Sequence, residues 1–234
     1  MPIYKLKLLE RKEVAKETLV FTFEKPLGFH FIPGQYGGFT INDAEGKPIT
    51  RRFSLLNPPD DTVIAIATRM QDTPFKRALK ELPLGTEVKF AGPTGNFVLD
   101  NNINQPMVMI AGGIGITPFY SMLKHAIKES PSREFYLFYG NQTQLDSAFL
   151  DEIFTWQTKL FQFKFIPTLA QPDQTWKGEA GFITHTMLKK YIPDLKQPVY
   201  YVCGSPAMVN ALREILIELE IDEEKIYIED FPGY

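Results

Sequence analysis

The chain changes its grammar once, at "LDNNINQP", residues 99–106. Before that stretch, "YKLKLLE", "LVFTFE", "YGGFTI", "RRFSLL", "VIAIAT" and "EVKFAGP" are short alternating or β-branched runs punctuated by Pro, Gly, Asn and Asp. Such spacing predicts a small antiparallel barrel or sandwich. One helix interrupts it, "TPFKRALKEL" at 73–82, where Phe75, Ala78, Leu79 and Leu82 share a face and Thr73-Pro74 make a favourable start. After residue 106, strands alternate with helices. "MVMIAGG", "EFYLFYG", "QFKFIPTLA", "PVYYVCG" and "KIYIED" read as strands, while "TPFYSMLKHAIKE", "LDSAFLDEIFTWQ" and "PAMVNALREILIELE" read as helices. That alternation is the mark of a parallel doubly wound sheet. The polar, proline-ended linker divides the chain into residues 1–102 and 103–234.

Composition narrows the chemistry. A formal net charge of −3 gives no electrostatic case for nucleic acid or an anionic membrane as main partner, although a local basic patch would survive that average. The single cysteine, Cys203, can form no internal disulfide and ligate no iron–sulfur cluster. His30, His125 and His185 are scattered without ligand spacing, so no metal site is expected. "MPIYKLKLLE" lacks the apolar core of a signal peptide, and no apolar run approaches a membrane span. The sequence reads as soluble and cytoplasmic.

Two strand-to-helix turns carry binding chemistry. In "IAGGIGITP", residues 110–118, a buried strand enters Gly112, Gly113 and Gly115, and Pro118 opens a helix. Glycines there let a diphosphate approach the backbone, and the helix start offers free N–H groups. In "YVCGSPAMVNAL", 201–212, Cys203-Gly204 end a strand and Ser205-Pro206 open the last long helix. Alone, the first is also an ordinary tight turn, and Cys203 an ordinary buried residue. Two such turns at one sheet edge point to a nucleotide. A third stretch, "RRFSLLNPP" at 51–59, sets a cation and a hydroxyl beside an aromatic on one strand, and the prolines end it.

Taken in order, "RRFS", "AGGIGITPF", "CGSPAM" and "IEDF" resemble the ferredoxin–NADP reductase superfamily over essentially the whole chain. The resemblance implies a two-domain protein, an N-terminal antiparallel six-stranded β-barrel holding FAD and a C-terminal α/β doubly wound parallel sheet holding NAD(P)H. It implies that Arg51 pairs with the flavin diphosphate, Phe53 packs on the flavin, and Ser54 bonds near its hydride-accepting nitrogen. The residue types suit those tasks. The helix start at Thr73, Pro74, Phe75 and Lys76 falls where the family sets backbone amides on the flavin phosphates, with Lys76 where serine is common. Gly113, Gly115, Thr117 and Pro118 fall in the family's pyridine-nucleotide loop, with Ile114 at a position that plant-type members fill with threonine. Cys203, Gly204 and Met208 match C-G-x-x-x-M, which implies that Cys203 lies beside the nicotinamide. "IEDF" implies that Phe231 shields the flavin with Glu229 nearby, and Tyr234, past Pro232-Gly233, is a second candidate cover.

NADPH-specific members hold the 2′-phosphate with a Ser-Arg pair, a Lys and a Tyr. The matching positions here are Ala170, Gln171, Ala180 and Phe182, so NADH is favoured, with Lys177 as the nearby cation. Ser54, Cys203 and Glu229 are the expected residues at the hydride path. The electron acceptor is then a separate molecule, a ferredoxin-like carrier first, with free flavin or ferric iron as the alternative. A non-catalytic flavin or nucleotide module is the reading from another class.

Overall fold

A computed structural model describes residues 2–99, 102, 104–129, 132–160 and 162–232. The first half is six antiparallel strands: β1 (Ile3–Ala15), β2 (Thr18–Glu24), β3 (Tyr36–Asn42), β4 (Pro48–Ser54), β5 (Val63–Arg69) and β6 (Glu87–Thr94), with helix α1 (Pro74–Glu81) between the last two. Their order is β4-β3-β6-β1-β2-β5. The long β1 serves both halves of this sheet, pairing with β6 through Ile3–Lys7 and with β2 from Leu8 onwards. The end strands meet where Leu56 N donates to Ala65 O at 2.8 Å, so the sheet rolls into the expected barrel.

Period-2 alternation fills its interior. Phe21 and Phe23 of β2, Phe39 of β3 and Phe90 of β6 are buried, and intervening residues face outward. Helix α1 plugs one end with Phe75 and Leu79. Thr73 caps it, its Oγ1 accepting from Lys76 N at 3.3 Å, and Pro74 fills the first turn, where no N–H is missed.

The second half is all parallel: β7 (Met107–Gly112), β8 (Phe135–Asn141), β9 (Phe163–Leu169), the two-residue β10 (Glu179–Ala180), β11 (Val199–Gly204) and β12 (Ile226–Asp230). Strand order β10-β9-β8-β7-β11-β12 reverses direction between β7 and β11. Helices α2 (Ile116–Glu129) and α3 (Leu150–Trp156) cover one face, α4 (His185–Tyr191) and α5 (Pro206–Glu218) the other. Strands β7 and β11 are buried at every position, as a doubly covered parallel sheet requires.

Two elements escaped the sequence reading, α4 and β10. The helix expected over 145–157 begins only at Leu150. Residues 143–146 instead close a capping box between Thr143 and Asp146, and Phe149 turns to φ +62°, which breaks the helical path.

The α2 face of the sheet also packs on the barrel. Leu56, Ala65, Ala67 and Phe97 join Phe119, Met122 and Leu123 in one apolar cluster. Polar bonds lock the same seam: Ser121 Oγ donates to Asn57 O at 2.9 Å, and Tyr201 Oη to Val98 O at 3.0 Å. The halves therefore share a core, and the ends of β4, β5 and β7 converge beside it.

Candidate functional site

At that convergence lies a cleft of about 390 Å3. The barrel supplies Arg51, Arg52, Phe53 and Ser54 from β4, Ala67, Thr68 and Arg69 from β5, then Gln71, Thr73 and Lys76 around the start of α1. The second half supplies Ile114 and Thr117 from the turn after β7, and Phe231 and Pro232 from the chain's end. Phe231 N donates to Gly204 O at 2.9 Å, which carries the path of β12 one residue further and brings the aromatic to the cleft.

The cleft is electropositive. Among the described residues, Arg51, Arg52 and Lys76 have no carboxylate partner: Arg51 Nη1 donates to Thr50 O at 2.9 Å, Arg52 lies over the Tyr36 ring at 5.9 Å, and Lys76 Nζ donates to Gln71 Oε1 at 3.2 Å. Arg69 alone reaches acid, 4.0 Å from Asp146 Oδ1 across the seam. Burial pushes the Lys76 ammonium down from its usual range, and Arg69 and Arg51 add to that. Arg51 and Arg52 are exposed and stay solvated, whereas Lys76 is partly buried, so an anion entering the cleft would meet three cations with no competing carboxylate.

Two more features fit a flat, diphosphate-bearing cofactor. Ser54 Oγ is buried with no hydrogen-bond partner in the protein, an orphan that a ligand heteroatom would satisfy. Phe53 stands in the cleft wall, braced by Phe39 at 5.9 Å and Phe75 at 5.6 Å. The first turn of α1 offers less than the resemblance implies. The Lys76 amide is taken by the Thr73 hydroxyl and the Arg77 amide by the Thr73 carbonyl, leaving that of Phe75.

Where β7 and β11 part, backbones come very close. Met208 packs over Gly112, and its N–H is held by the Ser205 side chain at 3.4 Å. Gly113 takes φ +50° to start the short 3-10 turn into α2. A β-carbon on Gly204 would stand 3.1 Å from Met208 Sδ. This reversal point is where open α/β sheets receive ligands.

The structure thus gathers Arg51, Phe53, Ser54, Thr73, Lys76, Thr117 and Phe231 around one cleft. Pro74 and Phe75 stand behind its wall in α1, and Gly113, Gly115, Pro118, Gly204 and Met208 form the adjoining strand-end turns. Two of the expected residues, Cys203 and Glu229, do not line this cleft. Cys203 is wholly buried, and burial, with Glu229 and Asp230 behind it, holds its thiol well above the usual range. Glu229, opposite Cys203 in the β11–β12 ladder, lines a second hollow of about 450 Å3 with Tyr36, Asn96, Phe97 and Tyr227. Burial, then Asp230, raises its carboxyl to about 7, and Oε2 has no partner. Tyr234 lies outside the described residues. Sequence reading missed Arg69 and Gln71. Their signal is "TRMQDTP", a cation and an amide at a strand end immediately before the helix start.

Comparison with known proteins agrees with this geometry. Residues 5–99 match the model of the oxidoreductase FAD-binding domain, and residues 109–214 that of the oxidoreductase NAD-binding domain. The chain belongs to the ferredoxin–NADP reductase superfamily. Among relatives of this superfamily member, the propane 2-monooxygenase reductase component of Rhodococcus jostii is 28% identical over 89% of the chain and 58% of its own length. NADH-cytochrome b5 reductase 1 of Cryptococcus neoformans is 28% identical over 91% of the chain and 77% of its own. The crystal structure of the Amycolatopsis cytochrome P450 reductase GcoB superposes with a TM-score of 0.86 at 26% identity, covering 100% of this chain and 72% of that one. The chain spans about three-fifths of the length of several curated relatives it matches. Among the described residues, no helix is long and apolar enough to cross a membrane.

Proposed function

We propose that this chain takes a hydride from NADH and passes the electrons to a separate protein carrier, with FAD held in the cleft. Residues 1–102 serve the flavin and 103–234 the nucleotide. The observation that carries this reading is the cleft's position. Its barrel wall holds the unpaired cations and the orphaned Ser54 hydroxyl, and its opposite wall is the turn at the reversal point of a parallel sheet.

Bound FAD supplies a two-electron acceptor that can release its electrons one at a time. Arg51, Arg52 and Lys76 would neutralise its diphosphate, and the Phe75 amide would add a neutral donor. Phe53 presents a flat apolar wall. Ser54 Oγ is the hydroxyl placed to donate to, or accept from, a ring nitrogen. Thr117 and Ile114 line the opposite wall from the nucleotide half, and Phe231 would exclude water there until a nicotinamide displaced it. Cys203, buried with its thiol held above the usual range, would support the adjoining β7 turn through the backbone contact with Gly115 rather than act as a thiolate.

Preference for NADH rests on the loop after β9. Ala170 and Gln171 are fixed to β8 and the turn after it, their amides donating to Asn141 O at 2.9 Å and Gln142 O at 2.8 Å. Neither side chain is cationic, and Ala180 and Phe182 across the loop are exposed and uncharged. The same loop carries exposed Asp173, whose carboxyl Thr175 holds below its usual range, beside one cation, Lys177, so it offers a 2′-phosphate no net positive charge. A carrier as acceptor is supported by the reductase and electron-transfer components among the relatives. The test is an anaerobic acceptor panel with NADH as donor, comparing iron–sulfur and haem carriers with free FMN and ferric citrate. A protein carrier should be reduced fastest, and preference for free FMN would reverse the assignment.

A further inference from the structure

The segment that forms the cationic wall of the cleft does not end with it. Arg51, Arg52, Phe53 and Ser54 line the cleft, and the chain then runs on through Asn57, Pro58, Pro59, Asp60 and Asp61, which do not. That second stretch lies along helix α2. Thr117, Ser121, Lys124 and Lys128 follow one another at intervals of four, three and four residues, which sets them on one stripe of the helix. Thr117 opens the stripe in the wall of the cleft. Ser121 Oγ donates to Asn57 O at 2.9 Å. Further along, Lys124 Nζ stands 3.7 Å from Asp61 Oδ2, and Lys128 Nζ donates to Asp60 Oδ2. At about 1.5 Å of rise per residue, the stripe connects the cleft to the last ion pair over about 16 Å.

The barrel side of this contact is stiff. Asn57 is 4% exposed, and its side chain closes the loop on itself. Its Oδ1 accepts from Ala65 N at 2.7 Å, and its Nδ2 donates to Val63 O at 2.5 Å and to Pro58 O at 3.3 Å. Pro58 and Pro59 fix their own φ angles, and Lys25, just past β2, donates to Pro59 O and Asp61 O. Ser121 is fully buried, so losing its hydroxyl would leave a buried carbonyl of Asn57 short of a partner. The ion pairs are more exposed and add little energy, but they fix which turn of the helix meets which residue of the loop. A slip by one turn would carry Thr117 about 5.4 Å along the helix axis.

We propose that Asn57 and Ser121 are positioning residues for hydride transfer, their bond setting the height of the turn after β7 against the flavin wall while the Asp60–Lys128 and Asp61–Lys124 pairs hold its register. The inference rests on the reading of the cleft as the flavin site and names what keeps the nucleotide half aligned with it. One continuous segment makes both the flavin wall and the grip on α2, so the spacing of the two walls is set locally. Hydride transfer needs its reacting atoms about 3–3.5 Å apart, and a shift of about 1 Å lowers the rate steeply without loosening either ligand.

The test compares the FAD-loaded protein with its Ser121→Ala and Asp60→Asn/Asp61→Asn variants, none of these residues lining the cleft. Anaerobic stopped-flow mixing with NADH gives the nucleotide's dissociation constant and the limiting rate of flavin bleaching. Hydrogen exchange follows the amides of residues 113–117 in the same proteins. Ser121→Ala should slow the limiting rate about tenfold or more and the double variant about twofold or more, with FAD affinity and the NADH dissociation constant held within about twofold. Exchange at 113–117 should quicken in both. A merely structural contact would lower stability and leave the limiting rate of the folded protein as it was. An unchanged limiting rate in the two variants, or a loss that falls on nucleotide or FAD affinity instead, would overturn the proposal. Should Ser121→Ala fail to fold, the double variant decides by the same criteria. Failure of NADH to bleach the unaltered protein would overturn the underlying reading, whereas full-rate bleaching in both variants overturns this inference alone.

Discussion

Gly115 lies against the peptide that joins Cys203 to Gly204. A β-carbon at Gly115 would stand 2.8 Å from Gly204 N and would collide with the Cys203 carbonyl. Backbone cannot yield there without prising the β7 turn away from β11. Gly112 is crowded as well, but by the Met208 thioether, a flexible side chain that can shift. Gly115→Ala should therefore cost about 1–3 kcal/mol of stability and weaken NADH binding strongly. Gly112→Ala should do less of both. Urea unfolding and NADH titration of the two variants check the order, and equal effects would mean that the Gly115 contact is not the constraint.

Arg51 has only a backbone acceptor for its guanidinium, so a diphosphate gives it its first charged partner. Losing one charge-assisted contact costs roughly 1.5–3 kcal/mol, and Arg51→Ala should weaken FAD binding at least about tenfold. Fluorescence titration of the apoprotein measures it. Equal FAD affinity in the variant removes Arg51 from the site.

Glu229 should give the folded protein a pH-dependent stability. Its carboxyl is raised from about 4.5 to about 7 by burial and by Asp230, so the folded state keeps a proton that the unfolded chain has lost between those values. The sign follows: this group's contribution falls as pH rises from 4.5 to 7, by about 3 kcal/mol in all, and is flat above that window. Glu229→Gln should lose that slope in urea midpoints taken across the window. An unchanged slope would assign it to other groups.

Phe231 lines the cleft on the side of the nucleotide half, where we propose that it acts as a cover that a nicotinamide must displace. Deleting residues 231–234 should tighten nicotinamide binding and speed oxidation of the reduced flavin by air. Deleting Tyr234 alone assigns the cover, because a full effect from it would transfer the role from Phe231. Unchanged affinity and air oxidation in the four-residue deletion would end the idea of an aromatic cover.

Most of the fold was legible because periodicity reports burial directly. The alternation in "LVFTFE" is the barrel interior, and the unbroken run "MVMIAG" is a strand covered on both faces. The strand-end glycines were legible as a tight strand-to-helix turn, and the close backbone approach at Gly115 came only with the structure. Helix α4 was hidden because its seven residues show too little periodicity, and the start of α3 because a side-chain capping box overrode propensity. Arg69 and Gln71 escaped since their role comes from a strand end meeting a helix start, a relation in space that sequence order does not display. The same limit applied to Cys203: the sequence offered both a buried residue and one beside the nicotinamide, and only packing shows that it is wholly buried and not in the cleft's lining.

The most direct measurement is the visible absorbance of the FAD-reconstituted protein, mixed anaerobically with NADH and, separately, with NADPH. The cleft's cations, the Ser54 hydroxyl and a loop after β9 without a phosphate-gripping pair at Ala170 and Gln171 together predict bound FAD whose visible band bleaches with NADH several times more efficiently than with NADPH. Faster bleaching with NADPH would contradict the loop assignment. A protein that binds no FAD, or binds it and is bleached by neither nucleotide, would contradict the central claim.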